Sequence, residues 1–426
     1  MQRGKRPGHE KRRLKIGIIS PPWLPVCGGG EKYVHDLAAE LISCGIDVRV
    51  FCGTRIKKDF DNGDIDAKRF DAGVDVDWTL WGPPEVTNPE NMRRTLLDYR
   101  FMEEALKWVR ATDIKIALVC NPIQRTEVVH ARELYAGLRG LGVVTGIVHL
   151  DLPMNITDFV IRTYLEKKCS WEIAALITEQ EIKSFLADRT ATEGYYLIGS
   201  PLFFSPDFVI SCSEWNLRFI NPLMQVPQLV LHPLLDLDYF STRSPSEESL
   251  PYRDVLMINP APRKGAEQML NLVANPEHHW TYRIMRGGWG NGMNEILPHL
   301  EAMPAFRAGR VALVDYLKDI RAAYRSCGVL FFPSLIEGYG MTTVEAMASG
   351  APVVSSDYPA IIEAIGDDAI ALCPLKTSKE RWVEAIRDAL SNREYWASKG
   401  LARVTRLKDR QRKEMDALIA FLAKFS

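Results

Sequence analysis

Short apolar runs alternate along this chain with longer amphipathic stretches, the pattern of parallel strands in a sheet covered by helices on both faces. The first unit predicts a strand over Leu14–Ile19, a loop over Ser20–Gly30, a helix over Glu31–Cys44 and a strand over Asp47–Cys52. Val34, Leu37, Ala38, Leu41 and Ile42 share one face at helical spacing. Apolar runs at Ile116–Cys120, Val143–His149, Phe208–Cys212 and Leu229–Leu231 extend that sheet through the first half. A second series follows, with strands at Val255–Ile258, Thr281–Met285, Val311–Val314, Val329–Phe332, Pro352–Ser355 and Ala369–Leu372. Its helices include Gly265–Leu272, Leu317–Ser326 and Thr343–Met347. Thr377 and Glu380 have capping-box spacing ahead of a helix carrying Trp382, Ile386 and Leu390, and Asp409–Phe425 reads as a last amphipathic helix.

Between the two series, Ser241–Pro251 is polar, proline-containing and poor in large apolar side chains, as a linker is. The pattern therefore predicts an α/β protein of two Rossmann-like domains facing each other, 14–240 and 252–402. They are joined by the linker 241–251, preceded by a disordered basic tail (1–13) and followed by a C-terminal helix (403–426).

Composition changes this picture little. A length of 426 residues exceeds one ordinary core, and a net charge of −1 gives no global attraction to nucleic acid or anionic membrane, so an anionic ligand needs a local site. The basic opening Met1–Lys15 has no apolar core and is not a secretory signal; a solubilising tail is favoured there over a membrane-surface patch. The eight cysteines form no C-x-x-C pair and are expected as small buried hydrophobes in a reducing compartment. No apolar run is long enough to span a membrane, and the expected location is cytoplasmic.

Chemistry concentrates in Ser334–Gly350, SLIEGYGMTTVEAMASG, which follows the strand Val329–Phe332 and runs into a helix near Thr342 or Thr343. The glycine loop Gly338–Tyr339–Gly340 and the helix start Met341–Thr342–Thr343 would offer backbone N–H groups and a positive dipole end to a phosphate. Glu345, one turn in, could accept from a ribose diol, and Glu337 from sugar hydroxyls, because a carboxylate binds hydroxyl donors without competing donors of its own. A second glycine loop, SPPWLPVCGGGE, brings Gly28, Gly29 and Gly30 toward a diphosphate, at a spacing that is not the dinucleotide-binding fingerprint. A third segment, NPAPRKG, offers Lys264 to neutralise a leaving diphosphate, with Arg263 as helper or substitute; out of context a solvated lysine at a helix start is the better reading.

These residues resemble the family-4 retaining glycosyltransferases of the GT-B fold over roughly Leu14–Ala402. The family's P-S-x-x-E-G-[FY]-G-x-x-x-x-E-A-M-A-x-G pattern is matched by Pro333, Ser334, Glu337, Gly338, Tyr339, Gly340, Glu345, Ala346, Met347, Ala348 and Gly350. Its G-G-x-E falls on Gly28, Gly29 and Glu31, its phosphate-binding lysine on Lys264, and its histidine facing the donor sugar on His149. Val209–Glu214 and the Asp236-to-Phe240 spacing match the end of its first domain.

The resemblance implies glycosyl transfer from a nucleotide-diphosphate sugar with retention, through a front-face, metal-independent mechanism. It further implies catalytic roles for Lys264, Glu337 and His149, no cofactor beyond the donor, and a C-terminal helix returning to the first domain. The acceptor is expected to be a small molecule, as in a secondary-metabolite pathway. Asn259 stands where the family often has an arginine, with Arg263 or Arg286 available to compensate; Met154–Pro206 matches nothing and is expected to shape acceptor recognition. The D-x-D pairs Asp64/Asp66, Asp75/Asp77 and Asp236/Asp238 raise a metal-dependent alternative, which is disfavoured, so no metal ligand is assigned. Competing classes are a nucleotide-sugar epimerase or phosphorylase on the same fold, a non-enzymatic nucleotide-sugar-binding subunit, and a nicotinamide oxidoreductase.

Overall fold

The structure is a computed structural model. It describes residues 14–22, 29–54, 75–80, 102–120, 128–151, 178, 180, 181, 184, 206–220, 225–242, 254–275, 279–287, 292–315, 317, 319–374 and 376–425. The basic tail 1–13, Gly28, Cys27, Cys169, Asp64, Asp66 and nearly all of 154–206 lie outside these residues.

The first sheet is built from β1 (Lys15–Pro22), β2 (Asp47–Thr54), β3 (Asp75–Leu80), β4 (Ile116–Cys120), β5 (Val144–His149), β6 (Phe208–Ser211) and β7 (Gln228–Val230). Its order is β3-β2-β1-β4-β5-β6-β7. The second sheet takes β8 (Asp254–Ile258), β9 (Thr281–Met285), β10 (Val311–Val314), β11 (Val329–Phe332), β12 (Val353–Ser356) and β13 (Ile370–Leu372) in the order β10-β9-β8-β11-β12-β13. Every pairing in both is parallel. The strands β4, β6 and β11 are buried throughout, as strands covered on both faces must be, and so their sequences are apolar runs apart from Ser211 at the end of β6.

Several boundaries depart from the sequence expectation. β1 runs on to Pro22, pairing with Gly53 past an irregularity, and the first helix begins at Gly29, two residues before Glu31. β3 was not expected: its alternating sequence DVDWTL suits an edge strand, and it places Asp75 opposite Arg49 and Asp77 opposite Phe51 in the ladder. The helix expected over Leu317–Ser326 is confined to Arg321–Ser326. Ser378, not Thr377, caps the helix Lys379–Ser391, its hydroxyl accepting from the Arg381 amide at 3.3 Å. Ser241 closes the short helix Leu237–Ser241 rather than opening the linker, and 243–253 is not described. The last helix starts at Arg393, well before Asp409, and runs to Leu422. Cys52, Cys120, Cys212 and Cys327 are buried free thiols as expected, but Cys44 is exposed at the end of the first helix.

The two halves share packing. Met415, Leu418, Phe421 and Leu422 of the last helix join the core of the first sheet with Ile16, Val50 and Phe208. Trp215, Phe219, Leu237 and Phe240 join the core built around Leu330, Tyr339 and Ile361 of the second. Polar groups fix the same seam. Glu363 accepts from the Glu214 and Trp215 amides at 2.8 and 2.7 Å, capping the helix Glu214–Ile220 from across the seam, and the Trp215 indole donates to the Tyr358 hydroxyl at 2.7 Å.

His232 sits between Glu363 (Nε2, 3.1 Å) and Glu414 (Nδ1, 2.7 Å), and its own amide donates to Glu414 at 3.0 Å. With a carboxylate at each ring nitrogen, the imidazolium is the form that satisfies both. Burial opposes that charge, but the two carboxylates outweigh burial and the nearby Arg410, so the His232 pKa is raised. The stabilisation is therefore full below about pH 6.5 and lost as pH rises through the raised value. The gap in melting temperature between wild type and His232→Asn should shrink steadily from pH 6 to 9; a gap that ignores pH would show that His232 carries no charge in the fold.

Candidate functional site

Both sheets place their loops at the carboxyl ends of parallel strands, where open α/β sheets bind ligands, and the order reverses between β1 and β4 and between β8 and β11. The loops after β8 and β11 flank the second of these points. After β8, Asn259 takes a positive φ of 55° and Pro262–Lys264 makes a single 3-10 turn. Gly265 closes that turn at φ 84°, and an added Cβ would overlap the Pro333 carbonyl oxygen, so glycine alone lets the two loops touch. The Leu335 amide donates to the Arg263 carbonyl at 2.9 Å and ties them together.

This apposition brings Lys264 to Glu337. The lysine Nζ donates to Glu337 Oε1 at 2.5 Å, and Ser334 Oγ donates to the same oxygen at 2.6 Å. The pair is mostly but not fully buried, with side chains 19% and 11% exposed. The helix Met341–Ala348 then starts from Gly340 as N-cap with no side-chain cap; the Thr343 amide donates to the Gly340 carbonyl at 3.0 Å, and the Met341 and Thr342 amides before it are left for a ligand or solvent. Thr343 is buried and its hydroxyl donates back to the Gly340 carbonyl at 2.7 Å, while Met341 and Thr342 are half-buried at the mouth.

Glu345 lies one turn deeper. Tyr324, which the sequence reading did not single out, donates from its hydroxyl to Glu345 Oε2 at 2.9 Å. Burial pushes the Glu345 pKa up, opposed by Lys32 of the first helix and by the Tyr324 hydrogen bond. Lys32 itself donates to Asp36 at 2.5 Å, and Asp36 and Glu345 together raise its pKa against the effect of burial. The N-terminus of the first helix thus faces the N-terminus of Met341–Ala348: a Cβ on Gly29 would lie 3.6 Å from Met341 Sδ. Gly29 and Gly30 form the first turn of that helix, whose amides also lack intrahelical partners.

The first sheet contributes the end of β5. His149 is 5% exposed, burial lowers its pKa to about 4, and its Nδ1 has no partner among the described residues. The imidazole is therefore neutral at pH 7. The next residue, Leu150, meets the glycine loop directly: a Cβ on Gly338 would overlap the Leu150 carbonyl oxygen. Cys212 Sγ and Asn216 Nδ2 bridge the Leu150 and Gly338 carbonyls, the thiol at 3.0 and 3.4 Å, the amide at 3.4 and 3.5 Å. Asp151 follows on the same strand end.

Other expected residues fall elsewhere. The Tyr339 hydroxyl bonds to Arg410 of the last helix and its ring packs on His232 at 5.2 Å, so this side chain serves the seam and only its backbone borders the loop. Burial pushes its pKa up to about 12. Arg286 pairs with Asp315 (3.4 Å) and Asn294 (3.2 Å) on an exposed edge, whereas the charge of Arg263 acts on Asp151. Asp236 accepts from the Tyr239 amide as a helix cap and Asp238 pairs with Lys408 at 2.6 Å, which employs that D-x-D structurally. Among the described residues, no group of three or more His, Cys, Asp and Glu is placed to hold a metal, and no helix is long and apolar enough to cross a membrane.

Two parallel sheets meeting at their carboxyl ends, with a last helix spanning both, define a GT-B fold. Residues 257–392 match the family model described as glycosyl transferases group 1, which takes in Lys264, Glu337 and Glu345. The O-antigen chain mannosyltransferase RfbU of Salmonella typhimurium is 33% identical over 70 residues, covering 16% of this chain and 19% of that protein, so the chain spans about a fifth of this curated relative. Among solved structures, sucrose-phosphate synthase from Thermosynechococcus elongatus superposes with a TM-score of 0.67 at 16% identity, covering 97% of this chain and all of that one. Anabaena HepE in complex with UDP-glucose gives 0.64 at 14% identity, over 96% and 100%.

Proposed function

We propose that the chain is a retaining glycosyltransferase that moves a sugar from a nucleotide-diphosphate donor to a small hydroxyl-bearing acceptor. The observation that carries this reading is the Lys264–Glu337 pair beside an uncapped helix N-terminus at the switch point of the second sheet. A diphosphate there takes charge neutralisation from Lys264, with Arg263 beside it, and N–H donors from the start of Met341–Ala348. Glu345, with one oxygen held by Tyr324, offers the other to the ribose diol. Glu337 and the neutral His149, from opposite sheets, hold the sugar's hydroxyls. The matched group 1 model and a neighbour solved with UDP-glucose support the donor class.

In the reaction the anomeric C1–O bond to the diphosphate breaks, and the acceptor oxygen attacks C1 on the same face. Its proton passes to the leaving phosphate oxygen. Neither a protein nucleophile nor a metal enters this scheme, and stabilisation comes from preorganised charge and positioning.

Thermal shift scans with UDP, GDP, ADP, dTDP and NAD, each with and without Mg²⁺, test the site. One nucleoside diphosphate should stabilise the protein without metal, by about 2.7 kcal/mol at a hundred times its dissociation constant. A response to NAD alone, or to diphosphates only with Mg²⁺, would overturn the proposal. Product analysis with the donor that binds separates transfer from epimerisation and phosphorolysis.

A further inference from the structure

We propose that Asp151 positions the acceptor, by accepting a hydrogen bond from a donor group next to the attacking oxygen, so that the site takes polyhydroxylated acceptors. This inference rests on the glycosyltransferase reading above. It starts from the seam. The Leu150 carbonyl is clamped by Cys212 and Asn216 and pressed against Gly338. That clamp holds Asp151 beside the glycine loop, with Oδ1 3.3 Å from where a Gly338 Cβ would stand. Lys264, Glu337 and Arg263 are the charged groups facing it, all from the second sheet's loops. Asp151 is an exposed residue, yet enough protein surrounds its carboxylate that burial pushes its pKa up, opposed by Lys264 and Arg263 and aided by Glu337.

A carboxylate in this place works against donor binding, because it faces the cations that a diphosphate needs and repels the diphosphate itself. Among the described residues it pairs directly with neither cation, unlike Glu337, which Lys264 holds. What it offers is an acceptor-only group, contributed by the opposite sheet, beside Gly338 and near Lys264 and Glu337. An acceptor with a neighbouring hydroxyl can donate that hydrogen to Asp151. Its attacking hydroxyl keeps its own proton for the leaving phosphate oxygen, so the proton balance of the transfer is unchanged. Water can stand in for such an acceptor: one hydrogen is held in a hydrogen bond to Asp151 and stays on oxygen as the product's anomeric hydroxyl, while the other proton passes to the leaving phosphate oxygen.

The test uses the full chain with UDP and UDP-glucose, and in parallel GDP and GDP-mannose, measuring diphosphate affinity and donor hydrolysis. Asp151→Asn should bind the diphosphate more tightly, by removing a facing negative charge. Asp151→Ala should do the same while slowing hydrolysis about tenfold or more, the scale of one lost hydrogen bond to a charged group. Asn, which keeps an acceptor oxygen, should recover part of that loss. A merely structural residue would weaken both functions together. Hydrolysis unchanged in Asp151→Ala, or diphosphate affinity that falls in both variants, overturns the proposal. A wild type that binds a diphosphate but hydrolyses neither donor overturns it as well, because water then does not take the acceptor's place. Failure of the wild type to bind any diphosphate is the separate failure of the glycosyltransferase reading itself.

Discussion

Lys264→Ala is expected to lower glycosyl transfer about 100- to 1,000-fold, the range seen when one preorganised donor to a developing anion is removed. Charge builds on the diphosphate as the C1–O bond breaks, and the lysine ammonium is the point charge nearest that oxygen in the proposed site. The effect should fall on kcat and on diphosphate affinity together, since the diphosphate is already anionic in the ground state. Removing Lys264 also strips Glu337 of its cation, leaving a carboxylate 11% exposed to which the Ser334 hydroxyl still donates. Part of any loss could then come from a weakened loop rather than from lost chemistry. The double variant Lys264→Ala with Glu337→Gln separates the two: it relieves the unpaired carboxylate and should regain melting temperature without regaining transfer. Transfer within tenfold of wild type in Lys264→Ala would remove the lysine from the mechanism.

What the sequence revealed of this fold and site follows from how each residue is buried. β4 and β11 stand out in the sequence because a strand covered on both faces has few polar positions. β3 is hidden in the sequence because an edge strand tolerates alternation, and Asp75 and Asp77 form a D-x-D pair that suggests a metal ligand although both lie in the ladder. Lys264, Glu337 and Glu345 were visible because a glycine loop between a strand and a helix is a local pattern, carried by few residues in one segment. Tyr324 and Asp151 were not, since their significance lies in contacts made by distant segments: Tyr324 is 21 positions from Glu345, and Asp151 meets a loop of the other sheet. One signal was present for Asp151, a carboxylate at the carboxyl end of a central parallel strand, two residues after His149. Tyr339 shows the converse. It fits the motif, yet its side chain turns away into the seam with Arg410 and His232. A motif position can be fixed by the needs of the backbone beside it while its side chain holds the two halves together.

Gly338→Ala tests that seam, because the expected result splits two functions that Lys264→Ala loses together. The added methyl would enter the space held by the Leu150 carbonyl, an atom fixed by Cys212 and Asn216, so the backbone of one loop must move. Overpacking of this kind costs about 1–3 kcal/mol, which should appear as a lower melting temperature. Lys264 and the start of Met341–Ala348, the groups proposed to hold the diphosphate, belong to the second half, so UDP or its counterpart should still bind with affinity near wild type. His149 and Asp151 belong to the first half, and a shift of about 1 Å between the two sets costs on the order of 100-fold in rate. Transfer should therefore fall by about that factor while diphosphate binding survives. Loss of both in proportion would place the damage inside the diphosphate loop. Retention of both would show that the Leu150–Gly338 contact does not govern the alignment of the two halves, and catalysis would then depend on the second half's loops and helix start.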